Sequence, residues 1–577
     1  MLKFTTSRIA AVLLAATTLA ACGDDDPMEV DTPVSIAQTA IATADLSTLT
    51  AALQAAGLVS TLEGTGPFTV FAPRNAAFDA LGADVVAGLL ETGNLDVLSR
   101  VLTFHVVSGA AAFSDDLSDG QTFTTVEGGT LEVGVSANGV TVNGANVVTA
   151  DVEASNGVVH IIDAVLVPET DVYETAVLTG GTTTLASAVL GAGLDAALQS
   201  DGPFTVFAPL NSAFDAVDAY TLDQLLAEDN VDILTKVLTY HVIEAEVLAS
   251  GLSDGLTVET LQGQELVFDL SDASDPKVNG VSITTTDIEV DNGVIHLVDG
   301  VLLPEFDIVE TAVITEGTGT LATAVAAGGL VDALQADGPF TVFAPIDAAF
   351  EALGTDRLDV LLDPANIELL QKVLTYHVIE GAVPASALSD GMMVETLQGS
   401  EVTFDLSDAL DPKVNGISII ATDIETENGI IHLVDGVLTQ NLDLVDVATV
   451  EGFSTLVSLV DQQSLTETLR GDNMGDGYTV FAPTDEAFAA LASVPSGDDL
   501  TNVLLYHVVA ATVESGALTD GQVVGTAFAG HDFTVSISGS DVTITDENAN
   551  VVNVTITDVA AANGIIHVID AVLLPTP

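Results

Sequence analysis

Two kinds of hydrophobic spacing alternate along this chain, and each predicts a different element. Leu46, Leu49 and Leu53 recur at helical intervals after Asp45, and Gly57 closes the stretch. This predicts an amphipathic helix with Asp45 at its N-cap and a glycine stop, which Gly193 and Gly329 repeat further on. An unbroken apolar run follows, Phe68-Thr69-Val70-Phe71-Ala72-Pro73, the pattern of a strand buried on both faces. Asn75 comes two residues after the proline, placed to cap a new helix that carries Phe78. Leu95, Leu98 and Leu102 predict a further helix, leading into Phe104-His105-Val106-Val107, which reads as a strand. Then the spacing shortens. Val- and Thr-rich segments are separated by Asp119-Gly120, Asn138-Gly139, Asn143-Gly144 and Asn156-Gly157, dipeptides of hairpin turns. Helices first and a β-rich half after predict an α+β fold with a mostly antiparallel sheet.

The same order returns three more times. The apolar run recurs with its second aromatic at Phe71, Phe207, Phe343 and Phe481, steps of 136, 136 and 138 residues, the length of a whole small domain. Asn211, Asp347 and Asp485 repeat the cap position of Asn75, and Phe214, Phe350 and Phe488 repeat Phe78. The joints are short: Leu303-Pro304-Glu305-Phe306-Asp307 passes into the next helix with no Gly/Ser-rich hinge. Four domains are expected, over residues 34–169, 170–305, 306–441 and 442–577.

Composition agrees that each repeat buries a core, with 48% hydrophobic residues and mean hydropathy +0.50. Charge narrows the partners. The chain has 84 Asp and Glu against 10 Lys and Arg, and the acids are scattered along the repeats. Such a surface repels phosphate backbones and anionic lipid, which excludes nucleic acid as a partner and restricts membrane contact to an anchor. A hydrated surface suited to salt, accumulation of divalent cations, or a cationic partner are the readings left.

The first 21 residues are a targeting segment. Lys3 and Arg8 precede the apolar stretch Ile9 to Ala21, too short to span a bilayer. The stretch ends in Leu19-Ala20-Ala21-Cys22, similar to the lipobox of bacterial lipoproteins, in which the cysteine becomes the acylated N-terminus. Cys22 is the only cysteine in the chain, so lipidation is its expected role rather than a disulfide or a catalytic thiol. Several acyl chains on one residue give stable anchoring. Residues 22–33, with Asp24, Asp25, Asp26, Glu29 and Asp31, then form an acidic tether.

The repeats close on a second regular run: Asn156-Gly157-Val158-Val159-His160-Ile161-Ile162-Asp163, then Asn292 to Asp299, Asn428 to Asp435 and Asn563 to Asp570. Between the two runs stand Tyr240-His241, Tyr376-His377 and Tyr506-His507, with Phe104-His105 in the first copy. The Thr-Val-Phe-Ala-Pro strand, the Ala-Phe helix, the Tyr-His dipeptide and the closing Asn-Gly strand, in that order, closely resemble the fasciclin-like domain. The resemblance implies a β-sandwich or wedge with helices packed around it, found on cell surfaces and in matrices and linked to adhesion. It also implies a link between the Tyr-His neighbourhood and integrin binding in animal members, and Phe104 departs from that pattern.

Eight of nine histidines fall at the two family positions: His105, His241, His377 and His507, then His160, His296, His432 and His567. Apolar neighbours on both sides favour core residues bonded to backbone or carboxylate, with a metal ligand or an acid–base catalyst as the alternatives. Asp163 and its equivalents are the natural partners. No nucleophile elbow, phosphate-binding loop, His-Glu-x-x-His or dinucleotide fingerprint is present in the sequence, so a non-enzyme with no catalytic residues and no cofactor is expected. Arg470-Gly471-Asp472 matches the integrin tripeptide but sits where a turn is ordinary. Asp269, Asp272 and Asp275, with their twins among Asp405 to Asp411, miss the spacing of a calcium loop. They read as solvated hairpin residues or, alternatively, a weak calcium site. The chain is thus expected to be a lipid-anchored protein of a bacterial envelope, at the outer membrane or cell surface. It would bind a surface or matrix protein or polysaccharide, with calcium- or salt-dependent self-association. A passive stalk is the alternative, and a metal-dependent enzyme a distant third.

Overall fold

The structure, a computed structural model, describes residues 34–576; the expected leader, the expected tether and Cys22 lie outside them. The first repeat opens with α1 (Ile36–Ala42), α2 (Ser47–Ala55) and α3 (Val59–Leu62). Leu49 and Leu53 are buried on α2 as their spacing predicts. Its cap differs from expectation. Asp45 lies in a preceding short 3-10 turn, and the cap comes from far along the chain. Asn75, the first residue of α4 (Asn75–Leu81), accepts through Oδ1 from Thr48 N at 3.0 Å and donates through Nδ2 to Ala44 O at 3.1 Å. Asn75 therefore closes α2 rather than its own helix, because its side chain reaches across to the free N–H groups there.

The arrangement recurs in each repeat. Asn211 accepts from Thr184 N at 3.0 Å, Asp347 from Thr320 N at 2.7 Å and Asp485 from Thr455 N at 2.9 Å. Asn75→Ala is expected to cost about 1 kcal/mol, the usual worth of a cap. Hydrogen exchange would show the loss at Thr48, 27 residues away from the change.

α5 (Ala83–Leu89) and α6 (Leu95–Phe104) follow, and α6 buries Leu98, Val101 and Leu102 along one face. The helix takes in Phe104, so the strand expected from that residue begins only at Val106. Seven strands form one strip: β1 (Phe68–Pro73), β2 (Val106–Ser108), β3 (Gln121–Thr124), β4 (Thr130–Ser136), β5 (Gly139–Val142), β6 (Ala145–Ala154) and β7 (Gly157–Ile162). Their order is β2-β1-β7-β6-β5-β4-β3. The sheet is antiparallel except between its second and third strands, where β1 and β7, the opening and closing signatures, pair in parallel with Phe71 beside His160. The two most regular runs in the sequence are thus neighbours. A Cβ on Gly157 would fall 2.0 Å from Phe68 O, so the start of this pairing admits only glycine.

β6 is bulged around Asp151, whose φ of 59° lies in the left-handed region. The strip bends along β6 and returns on itself through a bridge between Val107 and Thr125. This wedge encloses Phe71, Leu131, Val133, Val142 and Ile162, all essentially without solvent contact. Asn143 and Gly144, both at positive φ, make the two-residue turn from β5 to β6. Asn156 does more than turn the chain. Its Nδ2 donates to Leu62 O and Gly64 O, each at 2.8 Å, and its Oδ1 accepts from Ile36 N at 3.0 Å, tying α1 and α3 to the sheet.

Each repeat carries such a seven-stranded sheet with helices beside it, the α+β architecture expected. The described residues form two compact units, one ending at Thr183 and the other beginning at Thr184. The first ends with α7 (Val172–Leu178), which opens the second repeat and is capped by Asp171. In the second unit, the helical cores of the third and fourth repeats are continuous.

Candidate functional site

The two family-position histidines of each repeat sit on either side of β1 or its equivalent, and both are buried. His105, just past the end of α6, bonds through Nδ1 to Val101 O at 2.7 Å and accepts through Nε2 from Leu166 N at 2.8 Å. The Nδ1–H tautomer is fixed, since one nitrogen faces a carbonyl and the other an N–H. Burial pushes its pKa down to about 4, against a smaller opposing effect of the Val101 bond. His241, His377 and His507 repeat the geometry with Val237, Val373 and Val503, and burial lowers each to about 4.

His160 has the opposite tautomer. Its Nε2 lies 2.8 Å from Ala112 O and its Nδ1 accepts from Asp151 N at 3.3 Å. The left-handed bulge turns that N–H toward the ring, which accounts for the strained backbone at Asp151. His296, His432 and His567 are held alike by Asp287, Asp423 and Asp558, all at positive φ. Each ring packs against the neighbouring strand's phenylalanine, with centroids 5.1 to 5.5 Å apart. Asp163, expected as a histidine partner, instead accepts from Asn146 N at 2.7 Å. The tyrosines of the dipeptide are buried too: Tyr240, Tyr376 and Tyr506 donate to Glu265 O, Glu401 O and Asp532 O. Among the described residues no group of three or more His, Cys, Asp or Glu converges as metal ligands would.

Charge converges elsewhere, at the joints. Arg100 on α6 donates through Nε to Glu127 at 2.9 Å and through Nη1 to Glu174 on α7, which is only 5% exposed. Burial opposes the charge of Arg100, but the bonds to Glu174 and Glu127 outweigh it and raise its pKa further. One repeat later Lys236 contacts Glu310 at 2.8 Å and Glu427 at 2.9 Å. At the next joint Lys372 contacts Asp443 at 3.1 Å and also Asp446, and Arg470 reaches the same two acids at 3.0 and 3.1 Å. Burial works to raise Asp443, yet the bonds from Asp446 and the Lys372 and Arg470 charges hold it low; Asp446 is pushed up, chiefly by burial. Arg100, Lys236 and Lys372 stand 136 residues apart, and so do Glu174, Glu310 and Asp446. Asn502 takes that place in the last repeat. In a chain with so few bases, this periodicity is the signal in the sequence that marks the joints, and the histidine pattern does not carry it.

The Fasciclin domain matches four times, over residues 44–168, 180–304, 316–440 and 451–575. The chain belongs to the fasciclin-domain family. It is 32% identical over 534 residues to transforming growth factor-beta-induced protein ig-h3 of Sus scrofa, covering 89% of this chain and 74% of that protein. It is 28% identical over 537 residues to human periostin, covering 89% and 60%. One domain's length, 131 residues, is 44% identical to the Synechocystis protein sll1483, covering 23% of this chain and 72% of that one.

Within this fasciclin array the remaining motifs have ordinary partners. Arg470 of the Arg-Gly-Asp tripeptide is held in the joint, and Asp472 accepts from Met474 N at 3.1 Å in a local turn. Asp269 and Asp272 each close an exposed turn of their own, accepting from Ser271 and Ser274, while Asp275 pairs with Lys277 at 3.1 Å. No helix among the described residues is long and apolar enough to cross a membrane.

Proposed function

We propose that this chain is a lipid-anchored protein of a bacterial envelope whose four fasciclin domains mediate adhesion to a surface or matrix ligand without catalysis. The observation that carries the reading is fourfold repetition of one adhesion-linked domain. In each copy the two family histidines bond to backbone inside the core, and in the last three copies so does the dipeptide tyrosine. Contact with a partner then falls to the acidic exterior, and repetition multiplies weak contacts into avidity. A passive stalk is the second reading, favoured by the ion-paired joints of the second unit, which would hold its domains in register.

Cys22→Ala is expected to release the protein from the washed membrane fraction, since no other anchor is proposed. Retention of the variant there would count against lipidation. Beads bearing the soluble chain test adhesion. With a formal charge of −74, like surfaces approach only when counterions screen or bridge the carboxylates. Self-association is therefore expected to rise with salt, and further with millimolar calcium at equal ionic strength. Equal action of sodium and calcium would remove the acidic bridge, and weakening by salt would point to a cationic partner. Exchanging one domain for another separates the two readings, because a stalk tolerates the exchange and an adhesin loses specific binding.

A further inference from the structure

The fourth fasciclin domain holds a cavity of about 260 Å³ between its sheet and the helices Leu444–Val450, Ser454–Gln462 and Asp498–Tyr506. At the same place the first and third domains enclose about 20 Å³ each. The walls are aliphatic, with Leu444, Ala448, Leu456, Val460 and Leu504 among them, and no charged side chain lines the space. His507 touches it, but both ring nitrogens are engaged with Val503 O and Leu573 N.

Two departures of the fourth repeat fall at its rim. An insertion of three residues, Asn473-Met474-Gly475, contributes to the longer step of 138 residues to this repeat, with Asn473 and Met474 both at positive φ. Asn473 lines the cavity and is pinned by Nδ2 to Gly477 O and Ala510 O at 3.1 and 3.0 Å. Opposite in sequence, Ala527 donates its N–H to Val508 O, where Val126, Leu261 and Leu397 make the same bond in the first three repeats. A wall residue has thus been shortened to a methyl beside the inserted loop. Thr468 and Ala510, lining residues that are exposed, mark the opening.

We infer that the fourth domain is a binding site for a neutral, hydrocarbon-rich molecule of about eight to ten carbon atoms. An aliphatic cavity of about 150 Å³ stays dry and takes up benzene, so one of this size admits a bicyclic ring or a medium-chain alcohol. A charged head would meet no counter-charge in the lining, and the acidic chain disfavours an anion at the rim. The inference stands apart from adhesion, because it rests on one domain's interior.

Naphthalene and 1-octanol are the probes, titrated into the full chain. One equivalent of naphthalene is expected to bind, with 1-octanol competing for the same site. Ala448→Leu fills the space from the helix side and is expected to weaken binding at least tenfold. Ala527→Leu restores the rim residue of the second and third repeats at a partly exposed position that leaves the fold intact, and is expected to weaken binding at least threefold. Crystals under xenon pressure are expected to show xenon in the fourth domain at this place and none at the equivalent place in the third. Absence of saturable binding, or binding that both variants leave unchanged, would overturn the inference.

Discussion

Arg100→Met is expected to loosen the helix that follows the first fasciclin domain by about 3 kcal/mol, the lower end for breaking a buried ion pair by removing one partner. The physical reason is what remains. Glu174 is 5% exposed and Glu127 is close by, and no second base contacts either of them as Arg470 does at the joint of the third and fourth repeats. An uncompensated carboxylate then stays buried or takes up a proton, and α7 opens more often. Native-state hydrogen exchange at the amides of Val172–Leu178 reads this directly, as a loss of protection of about two orders of magnitude. The double variant Arg100→Met with Glu174→Gln is expected to recover part of the loss, because an amide needs no counter-charge. Strict additivity of the two single changes would show that the pair does not act as a unit. Lys372→Met is expected to cost less, since Arg470 still reaches Asp443 and Asp446.

The joint also shows where reading a sequence stops. Helical spacing located α2 and α6, the apolar run located β1, and the Asn-Gly turn from β5 to β6 was placed correctly, because each depends on residues near one another in the chain. The parallel pairing of β1 with β7 was not visible, although both runs were. Periodicity says that a strand is buried on both faces but not which strand lies beside it. Asn75 has the spacing of a local cap but serves a helix 27 residues earlier, since a cap residue follows the nearest free N–H groups in space. The positive φ of Asp151 had no signal either, because a bulge is set by the ring of His160 across the strand. The bases at the joints were legible as a 136-residue spacing, yet their partners lie on the next repeat. The insertion in the fourth repeat was visible as a longer step, while the cavity beneath it was not.

Acidification is expected to destabilise every repeat through the first histidine of its pair. His105, His241, His377 and His507 have folded pKa values of about 4, lowered by burial from 6.5. Above pH 6.5 the ring is neutral in both the folded and the unfolded chain, and its contribution is fully present. As pH falls from 6.5 to 4, the unfolded chain binds a proton and the folded chain does not, so stability drops with falling pH. The slope approaches 1.36 kcal/mol per pH unit and ring, about 3 kcal/mol per domain by pH 4. Protonating the ring there would also break the bond that Nε2 accepts from Leu166 N in the first repeat, so the charge and the geometry act together. Asp171 works in the opposite sense: burial raises it to about 6, so its stabilising effect is present at low pH and lost as pH rises through 6. Relief of acidic self-repulsion also opposes the histidines, and high salt suppresses it. Urea titrations in high salt at pH 7 and pH 4.5 are expected to show a lower midpoint at pH 4.5. Imidazole resonances of the four rings are expected to keep the Nδ1–H tautomer to below pH 5. Rings that titrate near 6.5, or a midpoint that rises on acidification in high salt, would sink the account, because a ring that accepts a proton in the folded chain at that pH is not held between a carbonyl and an N–H.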